Sequence, residues 1–543
     1  MPGKRLSRWW RYVCEHPMTS LVGAGALALA LYVLAYPLVV TRYPPLTDLP
    51  FHAAQTSILR HYWDPSYHFH EQYTLHPIEV PYISMYLIGA LCSLVLPITS
   101  ATKIMALVML GLLPAGLAVL FWGMRKSPLW GLTGLVFVWS NLSYWGFLNY
   151  VGAIGLYAMS IGLALRALDV PSRKRSIALG VCITAVFFTH IYRVPFTLLS
   201  VAGTAVVMYP ATRRIRPVVG PLAWGSALLG LYAIVRPKDD TIGKLDFSLH
   251  TERLKEAQQH LWKNYAGSAG VSEAARVDAV WSAIIVALVV ACVMFWWQGR
   301  LSGRSARERW WGFGVTFLPL LFAAGYLITF LTLPMRIGAW WYVYPREITS
   351  CLFILLGVLP DMPRQWPYRL AFVAGLGLFT TRYGLFVAQE FHDFDEATRD
   401  FQQVAQRIPQ APRLLYLVFD HSGFSKRNTP FIHLPAWIQA EKGGWLSFHM
   451  VAFGASPIRY RTDTDSSLYD GRGVIPPSVP DRWEWTPQRF RLQQHGAFFV
   501  WFLVRQRHDP SRLFAADPHI RLVSHDGTWW LFQREKAQPP SQQ

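Results

Sequence analysis

Asp48 and His52 stand four residues apart in Thr47-Asp48-Leu49-Pro50-Phe51-His52-Ala53-Ala54-Gln55. In a helix that spacing puts both side chains on one face. Thr47 can cap such a helix, and Asp48 and Pro50 suit its first turn. The partial positive charge of the helix start stabilises an ionised Asp48. A carboxylate held in this way can act as a general base or ligate a metal, with His52 as its proton partner or as a donor to an anion. The plainer alternative is a helix-start acid beside an interfacial histidine, and spacing alone does not separate the two.

Other candidates fall at the ends of apolar runs. His190-Ile-Tyr-Arg193 closes one run, and Tyr344-Pro-Arg346-Glu347 opens another, with Arg336 a little before it. An arginine there suits a phosphate, because its fork binds two oxygens and it stays charged. Arg346 and Arg336 are therefore candidate phosphate-binding residues; His190 and Arg193, ionisable groups at membrane depth, face a polar cavity that could also receive a phosphate, with a solvated span end as the alternative. The competing reading for Arg346 is a surface pair with Glu347 among interfacial aromatics. Five histidines (His52, His61, His68, His70 and His76) fall between 52 and 76. A divalent metal is conceivable there, but the spacing matches no compact site. No metal or other cofactor is assigned.

The elements that must position these residues are mostly membrane helices. The chain has 543 residues, 52% hydrophobic and only 15% charged, where a soluble domain carries about 25% charged residues. The first apolar run is 20–40. Others follow at 82–97, 102–123, 128–146, 150–168, 177–192, 194–209, 217–235, 279–297, 311–333, 347–360 and 369–388, twelve in all. These mark a polytopic membrane protein. The net charge of +19 sits in short loops: Arg125-Lys126, Arg173-Lys174-Arg175, Arg213 to Arg216, Arg300 to Arg309 and Arg364 to Arg369. That is the positive-inside bias, and it argues against a nucleic-acid surface. A cytoplasmic N-terminus with an outer C-terminus needs an odd number of spans, so the expectation is about 11–13. The first run is an uncleaved span, since no small-residue cleavage site follows it.

The polar segment 41–80 reads as an outer loop. Loop 236–278 contains an amphipathic stretch, 249–262, with Leu249, Leu254, Ala257 and Leu261 near helical spacing. From about 391 the composition becomes that of a soluble domain. Glu396 to Arg407 reads as a helix. Leu414–Phe419, Ser447–Phe453 and Phe498–Val504 read as strands. Ile520 to Gln533 reads as a hairpin turning at Asp526-Gly527. The five cysteines lie in or beside apolar runs, so no disulfide framework holds this region. The expected fold is thus mainly α. A transmembrane helix bundle with its loops occupies 1–390, and an extracytoplasmic α/β domain occupies 391–543.

This layout resembles the GT-C superfamily of membrane glycosyltransferases, which includes the protein O-mannosyltransferases and the aminoarabinose transferases of lipid A. Asp48-Leu-Pro-Phe-His52 is similar to the Asp-x-x-x-His opening of bacterial relatives. His190 and Tyr344-Pro-Arg346 are similar to their later His and Arg positions. Phe498 to Val504 and Gly527-Thr-Trp-Trp-Leu-Phe-Gln-Arg534 are similar to their closing strands. Many relatives carry two acids in the first loop, whereas here Leu49 follows Asp48. The resemblance implies transfer of a sugar from a polyprenyl-phosphate donor, at the outer face of a bacterial inner membrane, to a glycan, lipid or protein acceptor. It implies Asp48 as base, His52 as its helper and Arg346 as the phosphate clamp, with His190 and Arg193 as a second polar group. Two other readings fit the same layout. One is a non-catalytic assembly component of an envelope-polysaccharide system, and the other is a transporter or flippase of a lipid-linked solute.

Overall fold

The computed structural model describes residues 14–236, 247–262, 282, 286, 289, 293, 305–338, 340–421, 429–454, 456–461 and 486–535. The basic residues before Cys14, nearly all of the expected span 279–297 and much of loops 236–278 and 455–496 lie outside the described residues.

Among the described residues the α-helices of seven residues or more are, in chain order, α1 (Pro17–Val39), α2 (Leu49–Arg60), α3 (Ser84–Cys92), α4 (Ile98–Gly123), α5 (Leu148–Asp169), α6 (Arg173–Thr189), α7 (Arg193–Thr212), α8 (Arg216–Val235), α9 (Ala306–Thr332), α10 (Pro345–Leu355), α11 (Trp366–Ala397), α12 (Arg399–Gln406) and α13 (Ala436–Lys442). Among the described residues seven of these are long and apolar enough to cross a membrane: α1, α4, α5, α7, α8, α9 and α11. The protein is a multi-pass membrane protein. Helix α6, with 17 residues, falls just below that length.

Three apolar runs differ from the expectation of spans. Run 82–97 contains only the nine-residue α3. Run 128–146 is a 3-10 segment, Pro128–Phe137, followed by the short helix Asn141–Trp145. Run 347–360 contains the eleven-residue α10. At about 1.5 Å per residue none of them crosses a hydrocarbon core of about 30 Å. Runs 128–146 and 347–360 are apolar because most of their side chains are buried within protein, a property that hydrophobicity alone does not distinguish from lipid exposure, whereas Leu87, Leu91, Leu94 and Val95 of run 82–97 are exposed.

The chain divides into two compact units. The first comprises 1–39, 107–143 and 148–389 and holds most of the apolar helices. Small residues let its backbones touch. A Cβ at Gly116 would stand 2.0 Å from the Gly155 carbonyl oxygen, and one at Gly123 would stand 2.3 Å from that of Gly162. Helices α4 and α5 therefore cross at backbone contact. The basic loops gather at one end of this unit. Arg125 pairs with Asp169 and lies 4.1 Å over the Trp311 ring. Arg307 donates to the Ala211 carbonyl. Lys126 donates to the carbonyls of Gly357 at 2.9 Å and Leu359 at 2.6 Å.

The second unit comprises 40–106, 144–147 and 390–543, so the first loop clusters with the C-terminal region. Strand β1 (Tyr73–Leu75) of that loop pairs antiparallel with the later strand Ile458–Tyr460. Residues ahead of Asp48 are tied down as well: Arg42 pairs with Glu441 at 3.2 Å, and the Tyr43 hydroxyl donates to Glu441 at 2.9 Å. Helix α2 packs on α3 and α13, and ten of its twelve residues are buried.

The first unit contributes the two-residue strands β2 (Arg336–Ile337) and β3 (Trp340–Trp341), which pair with each other. In the second unit follow β4 (Arg413–Val418), β5 (Trp445–Leu446), β6 (Ile458–Tyr460), β7 (Trp501–Arg505), β8 (Ile520–Asp526) and β9 (Trp529–Arg534). A five-stranded sheet runs β5-β4-β7-β9-β8, with β4 parallel to β5 and β7 and the last two pairings antiparallel. Leu415, Leu417, Phe502, Val504, Phe514 and Phe532 form its core. The hairpin turn falls on Gly527-Thr528, because Asp526 still pairs with Trp529. Gly527 takes φ +55, and Asp400 accepts from both the Thr528 N–H and hydroxyl at 3.0 Å. The expected strand Ser447–Phe453 is instead β5 followed by a 3-10 turn at Met450–Phe453, whose Val451 N–H is capped by the His449 ring at 3.1 Å.

Candidate functional site

Asp48 caps helix α2 with its backbone, and Pro50 occupies the first turn. Three hydrogen bonds fasten this helix start to residues 144–147. Thr47 N–H donates to the Tyr144 carbonyl at 2.8 Å, and Asp48 N–H to that of Trp145 at 3.1 Å. The His52 Nε2–H donates to the Gly146 carbonyl at 3.0 Å. Gly146 has φ +86, and a Cβ there would stand 2.9 Å from the Asp48 nitrogen. Only glycine accepts both constraints without strain.

A carbonyl only accepts, so the His52 contact to Gly146 fixes the tautomer. Nδ1 then accepts from the Tyr86 hydroxyl at 3.0 Å. Burial pushes the His52 pKa down to about 4, so the ring is neutral near pH 7. Both nitrogens are engaged in orienting the helix start. Asp48 and His52 do share one turn, as expected, with the His52 N–H on the Asp48 carbonyl at 3.1 Å.

Two further histidines pack around this turn. His433 Nε2 is 3.8 Å from Asp48 Oδ1, too long for a hydrogen bond. Its ring lies 4.2 Å from that of Phe51, and His449 lies 4.9 Å from Phe51 on centroids. Burial pushes both histidines down to about 3, so the neighbours of Asp48 are neutral imidazoles. Gln55, one turn further, accepts from the Ser456 hydroxyl at 2.7 Å. The Asp48 carboxyl keeps about a fifth of its surface exposed. His433, His449, Tyr86 and Gly146 escaped the sequence reading. Only Trp145-Gly146, a glycine in an aromatic segment, left a visible signal there.

Histidines 61, 68 and 76 are taken up in local pairs with Asp64, Glu71 and Glu79. Among the described residues no group of three or more His, Cys, Asp or Glu is arranged to hold a metal ion.

In the other unit, His190, Arg193 and Arg346 come together around Tyr150. The His190 ring meets Tyr150 edge-on with centroids 5.2 Å apart, and Arg193 and Arg346 lie 4.3 and 5.4 Å from the same ring. Arg193 is fully buried. It pairs with Glu347 at 3.0 Å, donates to the Ser350 hydroxyl at 2.7 Å and also lies over Tyr326. Glu347 is thus the buried partner of Arg193 and not one half of a surface pair. Successive helix residues point about 100° apart, and Glu347 turns inward to Arg193. Arg346 instead donates from Nε to the Tyr342 carbonyl at 2.9 Å and from Nη2 to that of Trp341 at 2.7 Å. These bonds aim a half-buried guanidinium. Arg336 is exposed on β2 and donates to the Gly338 carbonyl at 2.7 Å.

The stretch 247–262 forms a 3-10 turn, Thr251–Glu256, and a short helix, Ala257–Trp262, in place of one continuous helix. Ala257 and Leu261 are buried, whereas Leu249 and Leu254 are exposed. Its Glu256 accepts from the Tyr344 hydroxyl at 3.0 Å, and His260 meets the Tyr342 hydroxyl at 2.8 Å. This stretch thereby braces the residues just before Arg346.

No family model and no curated protein matches the sequence. The fold is nevertheless similar, over nearly the whole chain, to solved structures of low sequence identity. ArnT from Cupriavidus metallidurans, solved bound to undecaprenyl phosphate, superposes with a TM-score of 0.53 at 13% identity, over 96% of this chain and 99% of that one. Its apo structure gives 0.53 at 12% identity, over 95% and 98%. The arabinofuranosyltransferase AftD from Mycobacteria gives 0.42 at 14% identity, over 95% of this chain and 40% of that one.

Proposed function

We propose that the protein is a membrane glycosyltransferase, moving a sugar from a polyprenyl-phosphate donor to an acceptor hydroxyl on the extracytoplasmic side. The observation that carries the reading is the Asp48 carboxylate, partly exposed at the start of a buried helix that three hydrogen bonds pin to residues 144–147. The end-to-end likeness of fold to a protein solved with undecaprenyl phosphate supports the class of donor.

Asp48 accepts the proton as the acceptor oxygen attacks the anomeric carbon. The new carbon–oxygen bond forms as the bond to the donor phosphate breaks, and the electron pair leaves with the polyprenyl phosphate. Arg346, aimed by its carbonyl contacts, steadies that charge, with His190 beside it on Tyr150. Arg193 is neutralised by Glu347, so its part is to hold the Tyr150 face. His52 positions Asp48 and does not exchange protons at neutral pH. In this reading the N-terminus is cytoplasmic and the C-terminal region extracytoplasmic.

The experiment is to incubate the purified protein with polyprenyl-phosphate sugars and a membrane extract as acceptor source, and to measure release of free polyprenyl phosphate. Protein-dependent release matched by sugar incorporation is expected. No release from any pentose or hexose donor contradicts the reading.

A further inference from the structure

A groove of about 390 Å³ runs along helix α1 in the helical unit, lined by Gly23, Ala26, Ala30, Ala118 and Leu132, with Arg369 also on its wall. Small side chains leave this space open, and a Cβ at Gly23 would meet nothing within 4 Å. The groove follows α1 from Thr19 to Ala30. At about 1.5 Å per residue that is roughly 16 Å, half of a hydrocarbon core of about 30 Å and hence the depth of one leaflet. Leu21, Leu27 and Leu31 are exposed on the same helix, so this helix surface is dressed for lipid.

The groove is apolar along its length and polar at the end marked by Thr19, Ser127 and Arg369. That is the end where the basic loops gather. Arg369 donates from Nε to the Pro363 carbonyl at 3.2 Å, which steadies its guanidinium. The nearby acid Asp361 is occupied by the Ser127 N–H at 2.9 Å. A leaflet that faces basic loops is the anionic one, and an arginine fork matches phosphate oxygens.

We propose that the groove binds one acyl chain of an anionic glycerophospholipid from that leaflet, with the lipid phosphate on Arg369. The site is independent of the glycosyl-transfer reading and acts as a bilayer anchor for helix α1.

The test uses the delipidated full-length protein in detergent, with phosphatidylglycerol, phosphatidylethanolamine and undecaprenyl phosphate as separate probes. Native mass spectrometry gives the affinity, and the thermal midpoint gives the stabilisation. Phosphatidylglycerol should bind at least about tenfold tighter than phosphatidylethanolamine. Arg369→Gln should remove most of that preference. Gly23→Leu, which places a side chain in the open space, should weaken all acyl-chain binding at this site while leaving the lipid-free midpoint unchanged. Equal affinity for the two phospholipids, tighter binding of undecaprenyl phosphate, or unchanged phosphatidylglycerol affinity in both variants overturns the proposal. Should one variant fail to fold, the other still decides.

Discussion

A methyl group at Gly146 would stand 2.9 Å from the backbone nitrogen of Asp48. The carboxylate nominated as base is thus seated against a glycine almost a hundred residues further along the chain, and the carbonyl of that glycine also accepts the hydrogen bond from His52 Nε2–H.

Gly146→Ala should therefore disturb Asp48 without touching its side chain. The residue has φ +86, so alanine is strained there as well as crowded, at a cost of about 1–3 kcal/mol. Transfer should fall by roughly tenfold or more as the base loses its alignment. The checks are the thermal midpoint and the initial rate. A variant with both unchanged removes Gly146 from the support of Asp48.

His52, His433 and His449 should make the protein acid-labile. Histidine ordinarily titrates at 6.5, and burial holds His52 down to about 4 and the other two down to about 3. As pH falls through 6.5 the unfolded chain takes up protons that the folded chain refuses. The stability is fully present above that value and drains away as pH falls toward about 3–4. Thermal midpoints measured from pH 7.5 down to 4.5 should fall progressively. His433→Phe, which keeps a ring beside Phe51, should flatten part of the fall. A level profile for the parent protein contradicts the burial of these rings.

Arg193 and Glu347 should be strongly coupled. With side chains 2% and 7% exposed, removing either alone leaves a buried charge, at a cost of about 3–5 kcal/mol. Arg193→Met combined with Glu347→Leu should cost less than the sum of the single changes. A double-mutant cycle in denaturant reads this directly. Simple additivity rules out the pair as a unit.

Arg346→Ala should weaken binding of polyprenyl phosphate by about tenfold or more, a loss of at least about 1.4 kcal/mol. Arg346→Lys should recover only part, because lysine lacks the fork held by the Tyr342 and Trp341 carbonyls. Arg336→Ala should leave binding nearly unchanged, since that side chain is exposed on β2. Equal losses at Arg336 and Arg346 would shift the phosphate contact to the β2–β3 hairpin.

The membrane character was legible because continuous apolar runs leave no other reading. The pairing of Asp48 with a helix start was legible from Thr47 and Pro50. What sequence could not separate was lipid-facing from protein-buried apolarity in α10 and the 128–146 run, nor could it show that α3 stops after nine residues, so all three read as spans. Nor could it supply partners set by tertiary contact. Asp48 meets Gly146 and His433, and Arg193 meets Glu347, across separations that no local periodicity encodes. A surface pair of Arg346 with Glu347 stood as the competing reading, and Glu347 turns inward to Arg193 instead.

The most direct measurement compares wild type with Asp48→Asn for release of polyprenyl phosphate from a polyprenyl-phosphate sugar. Asparagine keeps the shape of the side chain and removes its capacity to take a proton. Turnover should fall by about a hundredfold or more, with the thermal midpoint preserved. Undiminished turnover in the Asp48→Asn protein would contradict the assignment of Asp48 as the base.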